Sequence, residues 1–222
     1  LDRLMGLVAL AREEDDSYDG AIRLGMQAIL SSPRFLYRDE PVEVAGGPRE
    51  RGKNARMHSV TIDEYALASR LSYFLWSSGP DAELLQLAAT GQLRDQLDVQ
   101  MERMIQNPRI ERFVTAFTGQ WLQLRNLALI EPSGKTYPTF DDDLKAAMQE
   151  ETERFFLHAL RDDRPVTEFL YAPYTFVNER LAQHYELEGV EGRGFRKITL
   201  PNSRRGGLLA QASVLTLTSD PS

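Results

Sequence analysis

The chain has 222 residues, 27% of them charged and 42% hydrophobic, the balance of a folded protein and not of a disordered one. It has no cysteine, which excludes disulfides, thiolate metal sites, cysteine nucleophiles and covalently attached c-type haem within these residues. A net charge of −7 argues against general nucleic-acid binding, and no apolar run reaches the ~20 residues that a membrane-spanning helix needs.

In chain order, the first 38 residues predict two helices, one with Leu4, Leu7, Val8 and Ala11 on its apolar face and one with Ile22, Met26, Ile29 and Leu30. The Pro-, Gly- and charge-rich stretch 39–57 is the clearest linker. Thr61 and Glu64 have the spacing of a capping box opening a helix through Trp76, with Tyr65, Ala68, Leu71, Ser72 and Leu75 on its buried side. A short helix from Asp81 to Ala89 closes at Gly91, and another starts near Asp95 with Leu97, Met101, Met104 and Ile105 inside. Pro108–Leu127 then reads as one central helix with Ile110, Phe113, Val114, Phe117, Trp121 and Leu124 on a single face and Asn107 as its N-cap. Trp121 is expected to be almost wholly buried, packed by the 61–76 and 142–162 helices.

The longest helix is predicted from about Asp142 to Asp162, with three acids at its positive end. Leu144, Ala147, Met148, Phe155, Ala159 and Leu160 should face the core. Short helices follow from Pro165 and over Tyr174–Tyr185, then one extended segment at Phe195–Leu200 and a final helix over Gly206–Leu217. The fold class is all-α, an irregular multi-helix bundle with at most one short extended segment. Three regions are expected: residues 1–57, a helical hairpin and linker; 58–136, a central helical region; and 137–222, a C-terminal helical region packed with the central one.

Charge is uneven along the chain. Residues 137–191 sum to −8 (5 basic, 13 acidic), whereas residues 192–222 sum to +4 (5 basic, 1 acidic), so the two stretches are expected to lie against each other. The three histidines, His58, His158 and His184, lack the Glu-x-x-His and His-x-x-x-His spacings of helical metal sites, and no metal site is predicted. Glu151 and His158 are seven apart and share a helix face, either a solvated face or a pair reaching one ligand. For catalysis the candidates are Glu151, Asn178 and His184, against the plainer reading that Asn178 caps a helix and His184 ends it. Ser203-Arg204-Arg205-Gly206-Gly207 is the best binding candidate. Arg204, Arg205, Gly206 and Gly207 either form an anion or partner site at a helix start, or fasten the chain to the acidic block and let backbones pack closely. No Gly-x-Ser-x-Gly elbow supports a hydrolase triad.

The motifs SPRFLYR, YALASRLSYFLWSSGPDAELLQLAATGQL, RFVTAFTGQWLQLRNL, FDDDLKAAMQEETERFF, YTFVNERLAQHY and RRGGLLAQASVLTLTS follow one another in a characteristic order. Together the segments resemble the consecutive domains of unknown function of planctomycete-type exported, cytochrome-associated proteins: the end of DUF1595, then DUF1592, then the start of DUF1588. The resemblance implies a piece of a longer protein whose flanking regions carry c-type haem on Cys-x-x-Cys-His motifs, with no cofactor in the piece itself. It further implies a periplasmic or cell-surface location and flanking haem domains or a redox partner as neighbours. The expected role is a helical body that positions those domains. The alternatives are an enzyme domain acting oxidatively or hydrolytically on an extracellular polymer such as polysaccharide, and a protein-interaction module.

Overall fold

The computed structural model describes residues 2–15, 17–37, 42–43, 61–200 and 206–219. The chain divides into two compact units, Leu1–Leu67 and Ala68–Ser222.

In the first unit α1 (Asp2–Asp15) and α2 (Tyr18–Leu30) form a helical hairpin, and Ser17 caps α2 by accepting from the Gly20 N–H at 3.1 Å. The side of α2 that is buried carries Ala21 and Gly25, small residues that permit close helix contact. The predicted apolar face is not buried: Ile22, Met26, Ile29 and Leu30 are exposed. After the single turn α3 (Pro33–Leu36), β1 (Val42–Glu43) pairs antiparallel with β2 (Thr61–Ile62). Thr61 therefore belongs to a strand, and the cap of α4 (Glu64–Trp76) is Asp63, whose Oδ1 accepts from the Ala66 N–H at 2.6 Å.

In the second unit, α5 (Ala82–Ala89) is capped by Asp81, and α6 (Leu97–Gln106) follows a tight turn with Gly91 at φ +69°. Next come a 3-10 turn at Pro108–Ile110, α7 (Glu111–Trp121) and a second 3-10 stretch at Leu124–Leu129. The predicted single helix over Pro108–Leu127 is thus interrupted, and Gln123 at φ 57° sits in the left-handed region at the break. The long helix α8 (Asp142–Arg161) is capped by Asp141, whose Oδ1 accepts from the Leu144 N–H at 2.7 Å.

The stretch predicted as a helix over Tyr174–Tyr185 begins as β3 (Tyr174–Val177), which pairs antiparallel with β4 (Arg196–Thr199). Tyr-Thr-Phe-Val is rich in the aromatic and β-branched residues that suit a pleated strand. Only from Asn178 does the chain turn helical, as α9 (Glu179–His184), with Asn178 Oδ1 accepting from the Leu181 N–H at 2.9 Å. The end of the chain is a 3-10 turn at Leu208–Ala210 and then α10 (Ala212–Thr218), not one helix from Gly206. The fold is mostly α, but its extended segments form two short ribbons among the described residues.

The core of this unit gathers on α8. Leu144, Ala147 and Met148 pack with Leu127, Val177, Leu181 and Ala212. Two helical turns further on, Phe155 packs with Ala172, Tyr174 and Leu208.

Candidate functional site

Seven residues apart on α8, Glu151 and His158 both look towards β3, and alternation along that strand separates their surroundings. Thr175 meets the carboxylate, whereas Tyr174 and Phe176 present their rings to the imidazole, at 5.3 and 5.5 Å between centroids.

Glu151 is 1% exposed. Its Oε1 accepts from the Thr175 hydroxyl at 2.5 Å and its Oε2 from the Tyr185 hydroxyl at 2.6 Å. Tyr185 in turn accepts from the Ala212 N–H at 2.8 Å. Beside it, Thr152 donates to Gln211 Oε1 at 2.7 Å and shares a 2.6 Å hydrogen bond with Ser213. This buried network ties α8 to β3, to the end of α9 and to the start of α10. Its oxygens are filled by neighbours of the fold, so the carboxylate works as a joint. Glu151 is therefore not part of a solvated helix face.

Around His158 the polar groups are nearer the surface. Nδ1–H donates to Asp162 Oδ2 at 3.0 Å, which leaves Nε2 as acceptor for the Lys197 ammonium at 2.7 Å. Burial of the ring, reinforced by Lys197, holds the imidazole below its ordinary pKa. Tyr174 donates to Glu168 Oε2 at 2.6 Å, and the Arg164 guanidinium also binds that carboxylate. Arg164 foremost, then Tyr174, keeps Glu168 below the usual carboxylate range, while burial and Glu168 push the Tyr174 phenol up.

Of the remaining predicted site residues, Asn178 spends its side-chain oxygen on the cap of α9. His184 is exposed at the last turn of that helix, its ring 5.6 Å from that of Tyr185, and it lines a cavity of about 320 Å³ with Phe140, Met148 and Leu215. Neither Glu151 nor Asn178 lines that cavity. Arg204 and Arg205 lie outside the described residues. Gly206 and Gly207 are buried where the backbone runs against Phe169–Ala172: a Cβ on Gly206 would stand 2.5 Å from the Ala172 carbonyl oxygen, and one on Gly207 2.7 Å from that of Leu170.

The sequence reading missed an aromatic face. From the 3-10 turn into α7 the predicted stripe splits into two rows, and Thr118 joins the inner one. Ile110, Val114 and Thr118 point into the core, and Phe113, Phe117 and Trp121 run along its edge. Phe74 of α4 touches Phe113 at 5.0 Å, Phe113 touches Phe117 at 5.3 Å, and Phe117 touches Trp121 at 5.5 Å. Phe156 and Phe169 lie behind Trp121 at 6.3 and 6.0 Å. Trp121 does meet α8 through Phe156, but it is 50% exposed, with Phe74 at 64% and Phe117 at 38%. The expectation of a buried Trp121 is overturned, because the helix end at Gln123 leaves the indole on the rim. Trp76 is the buried indole instead: its Nε1–H donates to the Met104 carbonyl at 3.0 Å, and the guanidinium groups of Arg103 and Arg109 sit 5.5 and 5.0 Å from the ring.

A helical body centred on one long helix, with a buried carboxylate joint and a half-exposed aromatic face, is the class that these features define. Residues 62–187, more than half of the chain, match the family of proteins of unknown function DUF1592 (PSD4), and the chain belongs to that family. Residues 1–40 match DUF1595 (PSD5), also of unknown function. No curated protein and no solved structure matches the chain.

Proposed function

We propose that this chain is the helical body of a larger exported, cytochrome c-linked protein and that it positions a haem-bearing domain or redox partner. The observation that carries this reading is the aromatic face of Phe74, Phe117 and Trp121. Large rings left in water at the edge of a core are the usual anchors of protein interfaces. Contiguous exposed apolar surface marks sites of association. Haem enters through the family resemblance, whose flanking regions carry Cys-x-x-Cys-His motifs. Covalent attachment would have to be there, since these residues include no cysteine. Periplasmic or cell-surface location follows from the same resemblance.

Mixing this chain with the separately produced haem-bearing region of the intact protein tests the reading by calorimetric titration. Binding is expected for the wild type, and a Phe117→Ser/Trp121→Ser variant should bind at least roughly tenfold more weakly, the loss typical of removing interface anchors. Equal affinity of variant and wild type would reject the aromatic face. Stoichiometric haem bound to this chain alone would reject the cofactor-free body.

A further inference from the structure

The β3–β4 ribbon meets α8 at a contact that depends on one proton. Lys197 on β4 donates from Nζ to His158 Nε2 at 2.7 Å, and the same ammonium lies 3.9 Å from the centre of the Tyr174 ring on β3. A lone pair on Nε2 exists only while His158 is neutral, because the protonated imidazole has two donors and no acceptor. Protonation would set two cations where one hydrogen bond now stands.

The two strands are not held equally. β3 is pinned to α8 through Thr175 on the buried Glu151, and Tyr174 is fixed by Glu168. β4 has Arg196, Lys197 and Thr199 exposed and only Ile198 partly buried. Besides four antiparallel residue pairs with β3, it is attached by Ile198 packing against the core around Val177 and Leu181, and by the Lys197 contact, among the described residues the one polar side-chain tie from its own residues to α8. An isolated two-stranded ribbon is marginal in water, so the side-chain contact matters to its stability.

We propose that His158 and Lys197 form a pH-operated latch, in which protonation of His158 expels the Lys197 ammonium and loosens β4 while β3 stays pinned to α8. The charged groups facing the imidazole are Asp162 on its own helix, Arg164 and Glu168 from the segment that follows, and Lys197 on β4, with Tyr174 and Phe176 as aromatic walls. Lys197 and Arg164 oppose the proton, Asp162 and Glu168 favour it, and burial of the ring opposes it most of all. Release therefore falls below the ordinary histidine range, in mildly acidic solution. Loosening β4 bares the β3 edge at Tyr174–Val177, and an open strand edge is where another chain can pair. The latch on β4 is independent of the aromatic face.

The test follows the His158 ring and the amide protons of Arg196–Thr199 in the whole chain by NMR between pH 8 and pH 5, with exchange rates divided by their intrinsic values. Protection of the β4 amides should drop roughly tenfold or more in step with His158 titration, and that of the α8 amides should stay level. In Lys197→Met, His158 should titrate at higher pH and the drop in protection should vanish. In Asp162→Asn, both the titration and the drop should move to lower pH together. Protection of β4 that stays constant while His158 titrates overturns the proposal, and so does an unchanged drop in His158→Gln. If Lys197→Met unravels the ribbon even at pH 8, Asp162→Asn still decides, because it keeps both latch residues and moves only the pH of release.

Discussion

Two tryptophans show how position sets the worth of the same side chain. Trp76 is fully buried with its indole N–H satisfied by Met104, so Trp76→Ala should cost about 3–5 kcal/mol, read as a shift of the urea midpoint. Trp121 keeps half its surface in water, and Trp121→Ala should cost less, about 1–2 kcal/mol. A reversed order would make Trp121, not Trp76, the indole that anchors the core. His158 adds a pH dependence at the same scale. Its folded-state pKa lies below the ordinary 6.5, so the unfolded chain binds the proton more readily. The stability that the neutral ring contributes is complete above 6.5 and is lost as pH falls from there through the lowered value. Melting temperatures of wild type and Lys197→Met should diverge as pH falls across that window, the wild type losing more.

At the scale of elements, the joint around Glu151 and the close approach near Gly206 hold the C-terminal segment in place. Tyr185 donates to Glu151 and accepts from the Ala212 N–H, so Tyr185→Phe leaves two buried groups short of a partner. The expected cost is about 1–3 kcal/mol. Combined with Thr175→Val the loss should be non-additive, because both hydroxyls serve one carboxylate, and a double-mutant cycle measures that coupling. Gly207 offers a second test. It has φ +78° and no room for a Cβ against Phe169 and Leu170, whereas Gly91 has φ +69° and open space. Gly91→Ala should cost about 1 kcal/mol from backbone strain alone, and Gly207→Ala clearly more in thermal unfolding, since the backbone it meets cannot step aside.

For the whole molecule, the question is whether the aromatic face belongs to folding or to association, and Phe74 separates the two. At 64% exposure it adds little to the core, so Phe74→Ser should change stability, read from thermal unfolding, by no more than the ~0.5 kcal/mol usual for surface changes. The same variant should weaken binding of the proposed haem-bearing region in calorimetric titration. Loss of stability without loss of binding would make the face part of the fold and withdraw the docking role. The DUF1592 match covers most of the second unit.

Much of this architecture is legible in the sequence. Caps and helical spacing located α5, α6 and α8 to within a residue or two, because N-caps, turn residues and an apolar period of 3.6 act locally. The helix cap by Asn178 was legible for the same reason, and so was the extended character of β4. The partner of β4 was not. Tyr174–Val177 has an apolar run short enough to serve a helix or a strand, and only pairing with Arg196–Thr199 decides between them. Glu151 carried no local sign of burial, since its surroundings come from Thr175 and Tyr185, 24 and 34 residues away. Periodicity placed Phe117 and Trp121 beside Ile110 and Val114, but a helical stripe is wider than the surface that covers it. Which row lies under the neighbouring helices is settled by tertiary packing alone, and here it left Trp121 on the rim and buried Trp76.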